Sequence, residues 1–161
     1  MHWVFAYGSN MHLLDLRRWL RAQGHADRGP LRVEVATIQG FELAWNYRSA
    51  SRQGGAANTV PRAGAVLRGL ALEVDGALLA ALDAKEGHPT RYNRGEAPHR
   101  AELLRAEGHV AAWLYRVTPA YEMPHDVPPR RAYLDLILEA AEEHDLGADY
   151  VAALRSIPVA D

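Results

Sequence analysis

The sequence predicts an α+β fold, a mixed or antiparallel curled sheet with flanking helices, and three observations lead there. Strand-like segments follow one another as hairpins instead of alternating with helices, which argues against a doubly wound sheet. Helical periodicity is confined to a stretch after the first strand, a short stretch midway and the end of the chain. The length of 161 residues suits a single domain spanning 1–161 with a real core.

The elements follow in order. Trp3-Val4-Phe5-Ala6 reads as a buried strand that breaks into Tyr7-Gly8-Ser9-Asn10. Asn10 then reads as the N-cap of a helix beginning at Met11, with Leu13, Leu14, Leu16, Trp19 and Leu20 on its apolar side. Arg17, Arg18 and Arg21 read as its solvated face, and Gly24 as its stop. His25 to Pro30 is a polar loop. Residues 31–38 and 41–45 alternate apolar and polar side chains, which predicts a hairpin or two successive strands turned at Gly40. Residues 46–55 lack periodicity and predict a loop. A short strand over 56–60 should stop at Pro61, and a clearer one covers 65–74, where Gly69 marks a bulge or a close backbone approach. Asp75 caps a helix that ends at Gly87. Thr90 to Gly95 is a short strand or turn, and 100–106 and 110–117 flank a hairpin turn at Glu107-Gly108-His109. Tyr121 to Pro129 is a proline-rich linker. Arg130 to His144 is a helix with Leu134, Ile137, Leu138 and Ala141 on one face, ended by Gly147, and 148–157 is a second short helix.

Composition removes several chemistries. Cysteine is absent, which excludes disulfides and thiolate catalysis. A formal net charge of −2 gives no basic field for nucleic acid. The start does not read as a signal peptide, and no apolar run approaches the roughly 20 residues that span a bilayer. The expectation is a soluble, cytoplasmic protein without a membrane partner. Four serines without a G-x-S-x-G elbow argue against a serine hydrolase. Eight scattered histidines without H-E-x-x-H read as surface residues, so no metal site is expected. Trp19, Trp45 and Trp113 read either as core or as a homodimer interface.

Two places carry candidate chemistry. A strand–glycine turn–helix unit at Tyr7-Gly8-Ser9-Asn10 aims backbone N–H groups at one point, where an anion or developing oxyanion is stabilised. Gly8 permits close backbone approach to a ligand. The plain alternative is a capped turn. The second place is Glu86, in the last turn of the helix before Gly87. An acid there faces the negative end of the helix dipole, where lysine or arginine is the ordinary choice. A residue that breaks a local rule is a candidate functional site, here a proton carrier. The plain alternative is a solvated acid beside Lys85. Tyrosines at 7, 92, 115, 121, 133 and 150 form a third group, core edge or pocket lining.

Phe5-Ala6-Tyr7-Gly8-Ser9-Asn10 and Leu82-Asp83-Ala84-Lys85-Glu86-Gly87 resemble the two signatures of the gamma-glutamylcyclotransferase (AIG2-like) family. Asn58-Thr59-Val60-Pro61, Leu67 to Leu72, Tyr92, the Pro128 to Tyr133 segment and Leu146 to Leu154 resemble further family segments in the same order. The resemblance implies a small mixed β-barrel with a central cavity. It implies Glu86 as general base and acid, the Tyr7-Gly8-Ser9-Asn10 loop as the γ-glutamyl site, and Tyr7, Tyr92, Tyr133 and Tyr115 as pocket lining. It also implies a small-molecule γ-glutamyl substrate, cyclised to 5-oxoproline with release of an amino acid or amine, and no cofactor. Glutathione-specific relatives carry another residue where Asn10 stands, so the chain resembles the general branch. Two other readings stay open: a non-catalytic metabolite-binding protein of the same fold, and a protein-interaction module.

Overall fold

The computed structural model describes residues 1–25 and 28–161; of the expected 25–30 loop, residues 26 and 27 lie outside the described residues. In chain order the elements are β1 (His2–Ala6), α1 (Leu13–Ala22), β2 (Arg32–Ser49), β3 (Gly54–Val74), α2 (Gly76–Glu86), β4 (Tyr92–Asn93), β5 (His99–Leu103), β6 (His109–Trp113), β7 (Arg116–Val117), α3 (Arg131–Glu143) and α4 (Ala148–Arg155). Short 3₁₀ turns cover Ser9–Met11 and Pro119–Tyr121.

Five strands close a mixed barrel in the order β1-β3-β2-β5-β6. Most pairs are antiparallel; β1 and β6 close the ring in parallel through Trp3↔Ala112 and Val4↔Trp113. β4 and β7 form a separate two-stranded ribbon beside the barrel. Leu67, Leu70, Ala71, Leu72 and Val74 of β3 are all buried, because that strand has barrel interior on one side and covering helices on the other. Leu134, Ile137, Leu138 and Ala141 are buried on α3, as their spacing predicts. No helix among the described residues is long and apolar enough to cross a membrane.

The centre of the chain departs from the expectation. The hairpin placed at Gly40 is a single 18-residue strand, β2, and Gly40 sits at a register shift between Gln39 and Phe41 with φ of 83°. That positive φ is one glycine adopts without steric cost, so the residue that reads as a turn is a bulge. Pro61 lies opposite Phe41 at the same irregularity, so its missing N–H does not end the strand, and 56–60 and 65–74 belong to one 21-residue strand, β3. The predicted loop 46–55 shrinks to a turn over 50–53. The true hairpin runs from Ser49↔Gly54 back to Arg32↔Glu73.

At the other ends the corrections are smaller. α1 begins at Leu13, not Met11, and its cap is His12, whose Nδ1 accepts from the Asp15 N–H at 3.2 Å. Asn10 is therefore not an N-cap. Leu14 faces solvent at 62 % exposure. α3 ends at Glu143, and Gly147 precedes α4 instead of terminating α3.

Candidate active site

The site lies where three elements converge. β1 runs out of the barrel at Ala6 and releases the Tyr7–Asn10 segment across the mouth. α2, capped by Asp75 Oδ1 on the Leu78 N–H at 2.7 Å, ends at Glu86 because Gly87 adopts φ of 67° there. α3 contributes Tyr133 from its first turn. Tyr7, Gly8, Ser9, Asn10, Glu86, Tyr92, Tyr115 and Tyr133 line one recess of about 40 Å³. All the residues expected to form a site thus meet in one place. The recess opens into a cavity of about 460 Å³ that shares Ser9, Glu86, Tyr92 and Tyr133 with it.

Glu86 is the central side chain, 15 % exposed. Its Oε1 accepts from Asn10 Nδ2 at 2.8 Å, and Asn10 Oδ1 in turn accepts from Lys85 Nζ at 2.7 Å. Among the described residues Oε2 takes no hydrogen bond. The 3₁₀ turn at Ser9 lets the Gly8 carbonyl accept from Met11 N–H and the Ser9 carbonyl from His12 N–H. The N–H groups of Gly8 and Ser9 take no partner among the described residues. A Cβ on Gly8 would lie 3.3 Å from Ala57 Cβ and 3.6 Å from the Tyr133 hydroxyl, so the backbone passes close to the groups that fix Tyr133.

Each tyrosine is held by its hydroxyl. Tyr7 donates to the Tyr115 carbonyl at 2.5 Å, and Tyr92 donates to the Ala57 carbonyl at 2.7 Å. The Tyr133 hydroxyl accepts from Ala57 N–H at 3.0 Å, and Tyr115 donates to Asp83 Oδ1 at 2.6 Å. Burial pushes Tyr7 and Tyr92 well above the ordinary phenol value, reinforced at Tyr7 by the Glu86 charge and at Tyr92 first by the neighbouring Tyr133 and Tyr7. Burial takes Tyr133 up to about 12 against the lowering effect of its Ala57 bond. Burial and the Asp83 bond raise Tyr115 as well. The four rings are therefore neutral phenols near pH 7, able to donate or accept but unsuited to take a proton as phenolates.

Asp83, one helical turn before Glu86, anchors this wall. Arg94 grips it through Nε at 2.9 Å and Nη2 at 3.2 Å while stacking over Trp113 at 4.4 Å. Burial pulls the Asp83 carboxyl up, but the Arg94 and Tyr115 bonds outweigh it and hold the group below the usual carboxylate value. A carboxylate held below its unfolded value adds stability above that unfolded value and loses the contribution as pH falls through the folded one. Asp83→Asn should therefore melt lower than the wild type at pH 7, and the gap should close as the pH drops below about 4. Thermal melts from pH 7 to pH 3 measure it; a gap independent of pH would dissociate the effect from the carboxylate charge.

Several cavity residues carry no sequence motif. Tyr47 packs edge-on against Tyr92 at 5.4 Å. Arg52 reaches Ser9 Oγ and Asp15 Oδ2, each at 3.4 Å, and lies over the Tyr133 ring at 5.1 Å. Arg18, exposed as expected of its helix face, also lines the cavity, as do Trp19, Lys85 and Arg91. Trp45 is core, edge-on to Tyr133 at 6.1 Å. Continued alternation of buried Trp45, Tyr47 and Ser49 is the sequence signal that could have placed Tyr47 on the barrel. Among the described residues no group of three or more His, Asp or Glu side chains is arranged to hold a metal ion.

Comparison with solved structures gives this geometry its relatives. A protein described as gamma-glutamyl cyclotransferase superposes with a TM-score of 0.76 at 22 % identity, over 99 % of this chain and 89 % of that one. An uncharacterized human protein gives a TM-score of 0.76 at 24 % identity, again over 99 % and 89 %. A yeast cyclotransferase described as specific to glutathione gives 0.60 at 13 % identity, over 95 % and 93 %. At such identities these neighbours establish the shared fold. No curated protein sequence matches. The family model described as "Gamma-glutamyl cyclotransferase, AIG2-like" matches residues 4–135, from β1 through the first turn of α3 and so across every residue of the recess. The chain belongs to the gamma-glutamyl cyclotransferase, AIG2-like family.

Proposed function

We propose that this protein is a cyclotransferase that converts a γ-glutamyl amide to 5-oxoproline and a free amine or amino acid, with Glu86 as the proton carrier. The observation that carries the reading is the Glu86 carboxylate, 15 % exposed and tied through one oxygen only, in a recess walled by neutral tyrosines and the Gly8–Ser9 backbone.

The chemistry follows from what is bound. The free α-amine of the γ-glutamyl group attacks its own γ-carbonyl, so nucleophile and electrophile arrive together. The enzyme supplies mainly a folded, near-attack conformation. The α-nitrogen enters as an ammonium; Glu86 takes a proton from it before attack. The new C–N bond closes the five-membered ring, and the former amide C–N bond breaks. Overall two protons move from the attacking nitrogen to the leaving nitrogen, with Glu86 as the carrier between them. The unpartnered Gly8 and Ser9 N–H groups suit either the α-carboxylate or the tetrahedral oxyanion. Tyr7, Tyr92, Tyr115 and Tyr133 shape the recess and exclude water from it.

The outer cavity suits the leaving group. Arg18, Arg52 and Arg91 line it against Asp15 and Glu86, an excess of positive charge that favours a leaving amine bearing a carboxylate. The test is 5-oxoproline release by purified protein without added metal. The panel comprises γ-glutamyl amino acids, their neutral carboxamides and γ-glutamylamines. Turnover is expected, fastest with the carboxylate-bearing members. Binding of the panel without turnover would instead favour a metabolite-binding role. A cavity of about 460 Å³ with a sheltered Glu86 speaks against a pure interaction module.

A further inference from the structure

The proton transfers at Glu86 leave Lys85 without a part. It is the only lysine of the chain, and it stands beside Glu86 in the last turn of α2 with its side chain 10 % exposed. Burial lowers its ammonium below the usual lysine value, while the Glu86 charge pulls it back up; Arg52 opposes the charge and Asp15 supports it. The Trp19 ring lies 5.9 Å from Nζ. An arrangement that strips water from a cation needs a compensating contact.

That contact is Asn10, not Glu86. Lys85 Nζ is 2.7 Å from Asn10 Oδ1 but 3.9 Å from Glu86 Oε1, beyond hydrogen-bond reach. Asn10 Nδ2 then donates to Glu86 Oε1 at 2.8 Å. An ammonium only donates and a carboxylate only accepts. Between the two, a carboxamide has one satisfactory orientation; turned over, it would set N–H against N–H and oxygen against oxygen. We propose that Lys85 is a positioning residue for Glu86: acting through Asn10, its ammonium locks the carboxamide so that Nδ2 holds Oε1 and Oε2 is left to handle the proton. The inference rests on the reading of Glu86 as the proton carrier. It also explains why Asn10 is not spent on capping α1, a task that falls to His12.

A double-mutant cycle tests it, with Lys85→Met, Asn10→Ala and the pair, each checked for an unchanged fold by circular dichroism. Lys85→Met should lower kcat roughly 10–100-fold with KM within about threefold, the signature of a misplaced reacting group and not of lost substrate binding. In the Asn10→Ala background the same substitution should cost less than about twofold. Lys85→Arg, which keeps charge and donors, should recover part of the loss. Losses that multiply, or a raised KM with kcat retained, would overturn the proposal in favour of direct substrate contact by Lys85. A second readout does not need turnover: the side-chain ¹⁵N–¹H signals of Asn10 should be slow to exchange in the wild type and become fast in Lys85→Met. Unchanged signals would also overturn it. If the wild type released no 5-oxoproline from any substrate, the reading of Glu86 would fall, and the Asn10 signals alone would decide whether Lys85 holds the carboxamide.

Discussion

Glu86→Gln is expected to reduce 5-oxoproline release by roughly 10³-fold, in kcat far more than in KM. The substitution keeps shape, volume and one acceptor. The carboxamide oxygen of the variant could still accept from Asn10 Nδ2, so the recess should stay assembled and substrate should still enter. What disappears is the ability to take a proton from the α-ammonium and return one to the leaving nitrogen. Stability should respond differently. Glu86 stands at the C-terminal end of α2, where a negative charge opposes the helix dipole but attracts the Lys85 ammonium 3.9 Å away, so the two effects of removing the charge offset and the melting temperature should change little. A structural acid would show the reverse pattern, lost stability with activity retained. An unchanged 5-oxoproline rate in a well-folded Glu86→Gln protein would end the assignment.

The same contrast explains what could be read from the sequence. Glu86 was legible as a candidate because it breaks a local rule, and the Tyr7–Asn10 turn because its glycine and position after a strand admit few structures; the fold brings the two to one recess. Helices α1 and α3 were legible because their apolar stripes have a single period, apart from exposed Leu14, and α2 because Asp75 and Gly87 mark its two ends. Strand ends were not. Gly40 and Pro61 are ordinary punctuation in a short strand. In this chain they sit at one register shift, Gly40 unpaired within it and Pro61 opposite the next residue, Phe41, where a left-handed residue and a missing N–H do not interrupt a ladder that continues on both sides. Local propensity cannot anticipate compensation by a partner some twenty residues away. The charged wall was hidden for a related reason. Arg52 reaches Ser9, Asp15 and Tyr133 because the long β2–β3 hairpin carries its turn over the barrel mouth. Asn10 misled in the opposite sense: an excellent cap by type, it is recruited by Lys85 and Glu86, contacts more than 70 residues distant.

The second large effect concerns the crossing that aims the turn. Gly69→Ala should destabilise the protein by about 3 kcal/mol or more and lower its melting temperature by roughly 6–12 °C. An added Cβ at Gly69 would lie 2.2 Å from the Ala6 carbonyl oxygen and 2.9 Å from the Phe5 ring, and the nearer obstacle is backbone, which cannot swing aside. Ala6 is the last residue of β1 and pairs with Leu70, so relief requires moving the strand from which Tyr7, Gly8, Ser9 and Asn10 emerge. Activity should therefore fall beyond what the unfolded fraction explains. A shift of about 1 Å at the loop breaks the near-attack geometry, and losses of about 10²-fold are typical for that. Gly76→Ala is the control: a Cβ there meets nothing within 4 Å, and neither melting temperature nor turnover should drop. If Gly69→Ala melted like the wild type, the close approach of β1 and β3 would not be what holds the turn. If it melted lower but its folded fraction turned over normally, the crossing would support the barrel without setting the loop. Only a joint loss links the missing side chain at Gly69 to the placement of the Gly8–Ser9 turn in the recess it shares with Glu86.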